Sequence, residues 1–299
     1  MIYPPLLQKG DTVGIISTAR AIHLDEISFA INFLKTLGLR VKIGKTIGPS
    51  YHQFAGTDEQ RVLDFQEMVN DVSIKAIWCA RGGYGTVRVV DSIDFSPLLT
   101  NPKWIMGYSD ITVLHSHLHN MGLQTLHAPM PVDVKNATAE ALKVLKNSLI
   151  NGKQPITYNT SNKLNQLGIA KGILIGGNLS VLYSLLGSTS TLITKGKILF
   201  LEDLDEYLYH MDRMMMNLKR NGFFNDLHGL IIGGMTKMND NTIPFGHTAQ
   251  EIIKEVVSPY KFPVCFDFPA GHILDNRALC LGSEVQLTVT TQQVQLDYL

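Results

Sequence analysis

A serine lies at a corner between an apolar run and a helical pattern in the segment Trp104–Thr112, which reads Trp-Ile-Met-Gly-Tyr-Ser-Asp-Ile-Thr. The pattern predicts a short strand, a sharp turn and a helix, with Ser109 in the turn. A serine in that position can act as the nucleophile of a hydrolase, close to the amides of a helix N-terminus. The match to the G-x-S-x-G motif is incomplete because Ile111 replaces the second glycine. The local pattern therefore leaves two interpretations open, a nucleophile and a helix N-cap.

A glycine-rich turn, Arg81–Gly85, follows the strand predicted at Ala76–Cys79. Its glycines allow the backbone to approach a ligand closely, so Gly82 and Gly83 could help to form an oxyanion hole or cradle a phosphate. The turn lacks the Gly-Lys-Ser/Thr ending of a P-loop and the full dinucleotide motif. A tight turn without a ligand is the remaining interpretation.

Two further polar segments follow predicted strands in the second half of the chain. Glu202 and Asp203 come directly after the apolar run Ile198–Leu201, and His272 lies in a loop beside Gly271. A histidine in a loop has the freedom that a general base needs, and a carboxylate can orient it. The alternatives are a solvated acidic turn, a metal or acid–base carboxylate pair, and an ordinary loop histidine.

A third group of polar residues is the histidines of the helix predicted after Ser109. His115 and His119 share one face of that helix, at the i,i+4 spacing of a metal site. The glutamate of an H-E-x-x-H motif is absent, so a packed or half-exposed helix face is the preferred interpretation. No metal site is predicted.

Alternating strand and helix patterns in the first half predict a parallel sheet with helices on both faces. Strands are expected near Thr12–Ser17, Ala76–Cys79 and Ile105–Tyr108, and a short helix near Thr86–Ser92. In such sheets, ligands bind beyond the carboxyl ends of the strands. Both the serine corner and the glycine-rich turn are expected at that edge.

A polar, turn-rich stretch at Ile150–Leu167 predicts a linker between two domains, residues 1–158 and residues 168–299. Apolar strand patterns recur beyond it, and several of them precede helical patterns. The C-terminal segment is richer in strand patterns than the rest. The chain is therefore expected to form two α/β domains.

Composition narrows the class of protein. The chain has 299 residues, 45% of them hydrophobic, and 26 Lys plus Arg balance 26 Asp plus Glu, which argues against a broad nucleic-acid interface. Three cysteines without C-x-x-C spacing argue against a disulfide framework or a zinc site. No apolar run approaches the ~18 residues of a membrane span, and no signal-peptide pattern opens the chain. A soluble cytoplasmic protein is expected.

The order of these segments resembles the LD-carboxypeptidase family of serine peptidases, the muramoyltetrapeptide carboxypeptidases. The resemblance extends over nearly the whole chain, through the motifs Gly10–Ser17, Arg81–Gly85, Gly107–Asp110, His127–Met130, Gly176–Leu179, Leu201–Asp203, Asp212–Met214, Gly271–His272 and Leu281–Gly282. No single motif is specific, but the set in this order is. Ala128, where many members carry glycine, and Cys280, where proline is common, depart from the family pattern outside its active site.

The resemblance implies a flavodoxin-like, parallel-sheet α/β N-terminal domain and a swivelling, β-barrel-like α/β C-terminal domain. It implies a triad in which Ser109 is the nucleophile, His272 the general base and Glu202 the acidic member. The serine would belong to the first domain and its two partners to the second. The oxyanion donors would be backbone amides of Asp110 and of the Gly82–Gly83 turn. No metal or organic cofactor is implied, and a homodimer is suggested.

The activity expected from the resemblance is hydrolysis of the L,D-amide bond that releases terminal D-alanine from muropeptide tetrapeptides, in peptidoglycan recycling. Arg81 is a candidate for the cation that holds the substrate carboxylate, or it braces the glycine turn. The second enzymatic expectation is a microcin-immunity-like amidase that cleaves peptidyl-nucleotide antibiotics. The third is a small-molecule binding protein with a degenerate site. No nucleic-acid or membrane partner is expected.

Overall fold

The computed structural model describes all residues from Met1 to Leu299. The chain forms two compact units, each with its own sheet. The first unit comprises Met1–Lys153 and Leu274–Leu281, and the second comprises Gln154–Ile273 and Gly282–Leu299. None of the helices has the length and apolar character needed to span a membrane.

The two sheets contain all of the strands, and eight α-helices accompany them. The strands are β1 (Thr12–Ile16), β2 (Arg40–Ile43), β3 (Ile74–Cys79), β4 (Trp104–Gly107), β5 (Thr125–His127), β6 (Ile156–Asn159), β7 (Gly168–Asn178), β8 (Lys197–Leu204), β9 (Gly229–Thr236), β10 (Val264–Cys265), β11 (Leu279–Leu281), β12 (Glu284–Val289) and β13 (Gln293–Tyr298). The helices are α1 (Ser28–Thr36), α2 (Asp58–Asn70), α3 (Pro97–Thr100), α4 (Thr112–Asn120), α5 (Ala139–Ile150), α6 (Leu179–Ser184), α7 (Leu208–Arg220) and α8 (Ala249–Val257).

The sheet of the first unit has the order β11-β5-β4-β3-β1-β2. Strands β1 to β5 are parallel, and their order is the 2-1-3-4-5 arrangement of flavodoxin-like folds. The prediction of a flavodoxin-like parallel sheet is therefore confirmed. At one edge β11 adds an antiparallel strand, with Leu279 opposite His127.

Local signals in the sequence account for these elements. Strands β1 and β4 are buried along their whole length, as strands covered on both faces require. Helix α2 begins at a capping box in which Thr57 Oγ1 accepts from Gln60 N and the Gln60 side chain accepts from Thr57 N. Because β1, β3 and β4 are parallel neighbours, the loops that follow them lie together at the carboxyl edge of the sheet.

The sheet of the second unit has the order β10-β9-β8-β7-β12-β13-β6. Strands β7 to β10 are parallel, whereas β12, β13 and β6 are antiparallel to their neighbours. The sheet curls, since Tyr158 on the edge strand β6 donates a hydrogen bond to Phe266 O, just beyond the other edge strand. This curvature agrees with the barrel-like character expected for the second domain. Helices α6, α7 and α8 share its hydrophobic core with β7 to β10.

The division of the chain differs in two respects from the one expected from the linker. The expected linker Ile150–Leu167 contains a strand, β6, which pairs with β13 along the edge of the second sheet. The chain also returns to the first unit at Leu274–Leu281, because β11 pairs with β5. The compact units are therefore not contiguous in sequence, unlike the predicted segments 1–158 and 168–299.

The short helix predicted at Thr86–Ser92 is wrong. The segment forms two separate 3-10 turns, Thr86–Arg88 and Val90–Ser92. Four of its residues are β-branched, and such side chains lose rotamer freedom in a helix.

Candidate active site

Ser109 lies at the corner between β4 and α4, as the sequence predicts. Its backbone has φ of +61°, in the left-handed region that non-glycine residues seldom occupy. Residues Ser109–Ile111 form a 3-10 turn that leads into α4, and the Ser109 side chain is largely buried. Backbone strain of this kind persists only where the surrounding structure holds it, and it is concentrated at functional sites.

Gly82 packs directly against this corner. A Cβ atom built on Gly82 would lie 3.2 Å from Ser109 Cβ and 3.4 Å from both Ser109 Oγ and Asp110 N. Any side chain at position 82 would therefore fill the space beside the serine hydroxyl. The structure thus brings together Ser109, the predicted nucleophile, with Gly82 and Asp110, which are two of the three predicted oxyanion-hole residues.

The Asp110 carboxylate anchors the glycine-rich loop. Asp110 Oδ2 accepts a hydrogen bond from Thr86 N at 2.9 Å, and Thr86 Oγ1 lies 2.8 Å from Thr18 Oγ1. The buried Arg61 donates to the carbonyl oxygens of Thr18 and Gly85. Burial raises the pKa of Asp110, and hydrogen bonds from Thr86 and Gly85 oppose that rise. These contacts tie the loop to the residue that follows the serine.

His115 supports the same corner from within the core. Its Nε2 lies 2.9 Å from Gly107 O and therefore donates, while Nδ1 accepts from Thr125 Oγ1 at 2.8 Å. Burial lowers the pKa of His115 to about 4, so the ring is neutral. His115 is thus a packed structural residue, in line with the preferred interpretation.

In the second unit, Glu202 and His272 form a hydrogen-bonded pair although 70 residues separate them in sequence. Glu202 Oε2 lies 2.6 Å from His272 Nδ1 and also accepts from His272 N at 3.0 Å. The Glu202 side chain is fully buried and that of His272 is 13% exposed. The other carboxylate oxygen, Oε1, has no hydrogen-bond partner, so the buried group depends on His272. Because Nδ1 carries the proton, the lone pair of the neutral ring lies on Nε2, as in a hydrolytic triad.

A bulge in β9 seats the loop that carries His272. The β8–β9 pairing shifts register between Leu201 and Asp203, and β9 holds one extra residue there. Within the bulge, Gly234 N donates to Ala270 O at 2.9 Å, and a Cβ on Gly233 would lie 2.4 Å from the same oxygen. Gly233 and Gly234 therefore let the histidine loop approach the strand.

Gly271 allows the closest approach of that loop to the carboxylate. Its φ is +100°, and a Cβ there would lie 2.6 Å from Glu202 Cβ. On the other side of the loop, Thr236 Oγ1 donates to His272 O at 3.1 Å. The position of the imidazole is thus fixed by main-chain contacts as well as by its partner.

Asp203 is a second buried carboxylate beside the pair. Its Oδ1 accepts from Asn178 Nδ2 and Leu204 N, and its Oδ2 accepts from Ser180 N, all at 2.9 Å. Burial, followed by the adjacent charge of Glu202, raises the pKa of Asp203 to about 7. Asp203 therefore holds the start of α6 beside the end of β8.

Two of the predicted site residues, Arg81 and Gly83, contact neither Ser109 nor the Glu202–His272 pair in the contacts described. The Arg81 guanidinium faces Glu26, with Nη1 3.6 Å from Oε1, and both side chains are more than one third exposed. Such an exposed ion pair contributes little to stability. Gly83 lies against the side chain of Arg20 and has φ of +107°. Neither contact defines the role that the sequence suggested.

The sequence reasoning missed the supporting residues of both groups. The carboxylate of Asp110 and the side chain of Arg61 had no predicted role. Asp203 was predicted only together with Glu202, as a carboxylate that orients a histidine, a member of a metal or acid–base pair, or part of a solvated turn. The sequence did contain a signal for Arg61. Its spacing from Phe65 and Met68 places it on the same face of α2, and all three residues are buried. A charged residue on the apolar face of a helix is almost always paired.

The first unit has a strained serine at a strand end of a flavodoxin-like sheet, and the second unit has a buried carboxylate–histidine pair. Each of these features is typical of α/β hydrolytic enzymes. Residues 13–128 match the family model of the LD-carboxypeptidase N-terminal domain, and residues 171–287 match that of the LD-carboxypeptidase C-terminal domain. The chain belongs to the LD-carboxypeptidase family, which confirms the predicted family and its serine-type peptidase activity.

Individual relatives are similar to this chain over nearly its whole length and over nearly all of their own. A probable murein peptide carboxypeptidase of Bacillus subtilis is 35% identical over 303 residues, covering 98% of this chain and 94% of the relative. A murein tetrapeptide carboxypeptidase of Pseudomonas aeruginosa is 29% identical and covers 92% of each chain. The crystal structure of a muramoyltetrapeptide carboxypeptidase from Oxalobacter formigenes has a TM-score of 0.86 at 25% identity, covering 96% of this chain and 98% of that one. The predicted α/β fold is thereby confirmed.

Proposed function

We propose that this protein releases the terminal D-alanine from muropeptide tetrapeptides, with Ser109 as nucleophile, His272 as general base and Glu202 as the group that orients it. The observation that carries the proposal is the 2.6 Å contact between Glu202 Oε2 and His272 Nδ1, with the carboxylate fully buried. The named activities of the relatives in Bacillus subtilis and Pseudomonas aeruginosa support the choice of substrate.

The reaction proceeds through an acyl-enzyme. His272 Nε2 takes the Ser109 proton as the hydroxyl oxygen attacks the carbonyl carbon of the L,D-amide bond. Backbone amides of Asp110 and of the Gly82–Gly83 turn stabilise the negative charge on the tetrahedral oxygen. His272 then protonates the departing D-alanine amine as the C–N bond breaks. Water, activated by the same histidine, hydrolyses the ester and restores Ser109.

Glu202 acts on the histidine alone. It accepts the Nδ1 proton throughout and stabilises the imidazolium that forms in each half-reaction. Its burial strengthens this effect because the surrounding dielectric constant is low. No metal or organic cofactor takes part in this scheme.

Mass spectrometry of muropeptide digests tests the nucleophile. The protein is incubated with tripeptide, tetrapeptide and pentapeptide muropeptides, and D-alanine is expected from the tetrapeptide. The Ser109→Ala variant should lose this release, whereas Ser28→Ala, which removes an exposed hydroxyl bonded to Asp25 O, should keep it. Near wild-type release by Ser109→Ala contradicts the assignment of the nucleophile.

The same digests include a peptidyl nucleotide, the substrate of the alternative amidase activity. We expect cleavage of the tetrapeptide with much higher kcat/KM than of the nucleotide. A higher kcat/KM for the nucleotide would leave the catalytic residues as assigned but would contradict the proposed tetrapeptide substrate.

The proposed setting is peptidoglycan recycling in the cytoplasm, carried out by a homodimer. The three cysteines are buried and form no disulfide bond, which suits a reducing compartment. Cell fractionation tests the location, and light scattering coupled to size-exclusion chromatography tests the dimer. A membrane-bound fraction or a monomeric mass contradicts the respective part of this proposal.

A further inference from the structure

The first sheet has a point at which the strand order reverses, between β1 and β3. In doubly wound α/β folds, ligands bind in the crevice that opens there, beyond the carboxyl ends of the two strands. The loop after β1 contains Thr18 and Arg20, and the loop after β3 is the glycine-rich turn. Residues on these two loops are therefore placed to contact a ligand.

Several contacts fix the loop after β1. Ser17 Oγ donates to Arg20 O at 2.7 Å, and Ala55 N donates to Ala19 O at 3.0 Å. The Thr18 hydroxyl and the Arg61 guanidinium join this loop to the glycine-rich turn. The main chain at Arg20 is thus rigidly placed, whereas its side chain is exposed to solvent.

The Arg20 side chain lies across the glycine-rich turn, one residue from the glycine that touches the serine. A Cβ on Gly83 would lie 2.6 Å from Arg20 Cδ and 2.7 Å from Arg20 Nε. The preceding glycine, Gly82, packs against Ser109. A cationic side chain therefore runs along the loop that borders the nucleophile.

The Arg20 guanidinium has no carboxylate partner in the protein. Arg20 makes no ion pair. By contrast, Arg81 faces Glu26, and Arg88 is paired with Asp58. An exposed arginine without a partner beside an active serine is suited to grip an anionic group of the substrate, since its planar fork matches a carboxylate.

We propose that Arg20 binds the free C-terminal carboxylate of the substrate and so makes the enzyme a carboxypeptidase. This inference rests on the proposed function. In the substrate, the carboxylate is attached to the D-alanine Cα, three bonds from the carbonyl carbon that Ser109 attacks. A cation that holds it must therefore stand close to the serine, where the Gly82–Gly83 turn and Arg20 lie. Arg20 takes the role for which the sequence suggested Arg81.

Two tetrapeptide muropeptides test the proposal, one with a free C-terminal carboxylate and one ending in D-alaninamide. Wild type should prefer the free acid. In Arg20→Gln, kcat/KM for the free acid should fall roughly 10- to 100-fold, the range of a charge-assisted hydrogen bond, while the rate on the amide changes little. Arg20→Lys keeps the charge without the planar fork and should retain part of the preference.

Two other arginine variants complete the test. Arg88→Gln, an exposed arginine already paired with Asp58, should leave the preference within about threefold of wild type. Arg81→Gln examines the rival residue, and loss of the preference in this variant but not in Arg20→Gln would overturn the proposal. Equal losses on both substrates in Arg20→Gln would also overturn it. Wild type that releases no D-alanine would instead refute the proposed function.

Discussion

The serine corner and the carboxylate–histidine pair are held in place by different means. At the corner, Ser109 and Asp110 are neighbours in sequence, and Gly82 follows the adjacent strand. Backbone conformation positions these residues, because Ser109 has φ of +61° and Gly82 packs against it. The pair joins residues 70 positions apart through two hydrogen bonds to one carboxylate oxygen, and a bulged strand supports it. The corner is thus determined locally, and the pair depends on the tertiary structure.

This difference predicts different responses to substitution. A change at the pair removes a charge or moves a side chain that has a single correct position, so its effect should appear mainly in kcat. A change at the corner acts through several parallel contacts, each of which holds part of the loop. We therefore expect larger effects on activity at the pair than at the supports of the corner.

Replacing the buried carboxylate should have the largest effect. Glu202→Gln retains the shape but removes the charge that stabilises the imidazolium, and kcat should fall by about 10⁴-fold with little change in KM, as for the equivalent change in a serine triad. Glu206→Gln is the matched control, because Glu206 Oε2 also lies 2.6 Å from a histidine Nδ1, that of His210, but is partly exposed. Steady-state kinetics on the tetrapeptide measure both variants.

The control separates catalysis from the general effect of losing a glutamate–histidine bond. Glu206→Gln should remain within about threefold of wild type, since a partly exposed pair contributes little. An effect of Glu202→Gln on KM alone would mean that Glu202 binds substrate rather than orients His272.

The buried carboxyl of Asp203, next to Glu202, should make the stability of the folded protein depend on pH. Its pKa in the folded protein is raised to about 7 from an ordinary value of 3.8, so its contribution to stability is present below pH 3.8 and is lost as the pH rises through 7. The free energy of unfolding should therefore fall over that window, by at most ~4 kcal/mol from this group. Urea unfolding followed by far-UV circular dichroism measures the slope.

Asp203→Asn should flatten that slope because the side chain no longer ionises. The exposed Asp205→Asn is the control and should leave the slope unchanged. Only the dependence on pH is diagnostic, since Asn also loses the hydrogen bond that Oδ2 accepts from Ser180 N. An unchanged slope in Asp203→Asn would show that other groups cause it.

The same contrast explains what could be predicted from the sequence. The corner was predicted from a contiguous pattern because the groups that form it are close together in sequence. Glu202 and His272 were each indistinguishable from ordinary loop residues on their own pattern. Only resemblance to the family linked them, since a bulge in β9 and a buried hydrogen bond leave no periodic signal.

Pairing between distant segments accounts for the remaining differences. β6 was hidden in a polar stretch because an edge strand keeps exposed residues, and β11 returns to the first unit although it follows the second in sequence. The role of Arg20 was missed for a similar reason. Its significance comes from a glycine on a neighbouring strand end, more than sixty positions away in the sequence.

A methyl group at position 271 should displace the Glu202–His272 pair without removing any of its functional groups. Gly271→Ala places a Cβ 2.6 Å from that of Glu202, which displaces the histidine loop, and kcat should fall about 100-fold, as for a misplacement near 1 Å. Gly246→Ala is the matched control, because Gly246 has φ of +91° but nothing within 4 Å of the added Cβ. Equal kinetic losses in both variants would attribute the effect to backbone strain and not to contact with Glu202.

The smallest effect is expected at the support of the corner. Asp110→Ala removes the acceptor of Thr86 N, which is buried, and the unpaired amide should cost about 1–3 kcal/mol of stability. The remaining ties, made by Arg61 and the Thr18 hydroxyl, keep the glycine-rich loop near Ser109, so kcat should fall only about tenfold, or ~1.4 kcal/mol.

Two variants decide whether this loss comes from the loop. Asp110→Asn offers an amide oxygen to Thr86 N and should recover most of the kcat, which simple destabilisation would not predict. Asp94→Ala removes an exposed carboxylate that accepts from Ser96 N at 2.9 Å in the same way, and it should leave kcat unchanged. If Asp110→Ala instead lowers kcat as strongly as Glu202→Gln, the corner has no parallel supports, and both regions then depend on single buried carboxylates.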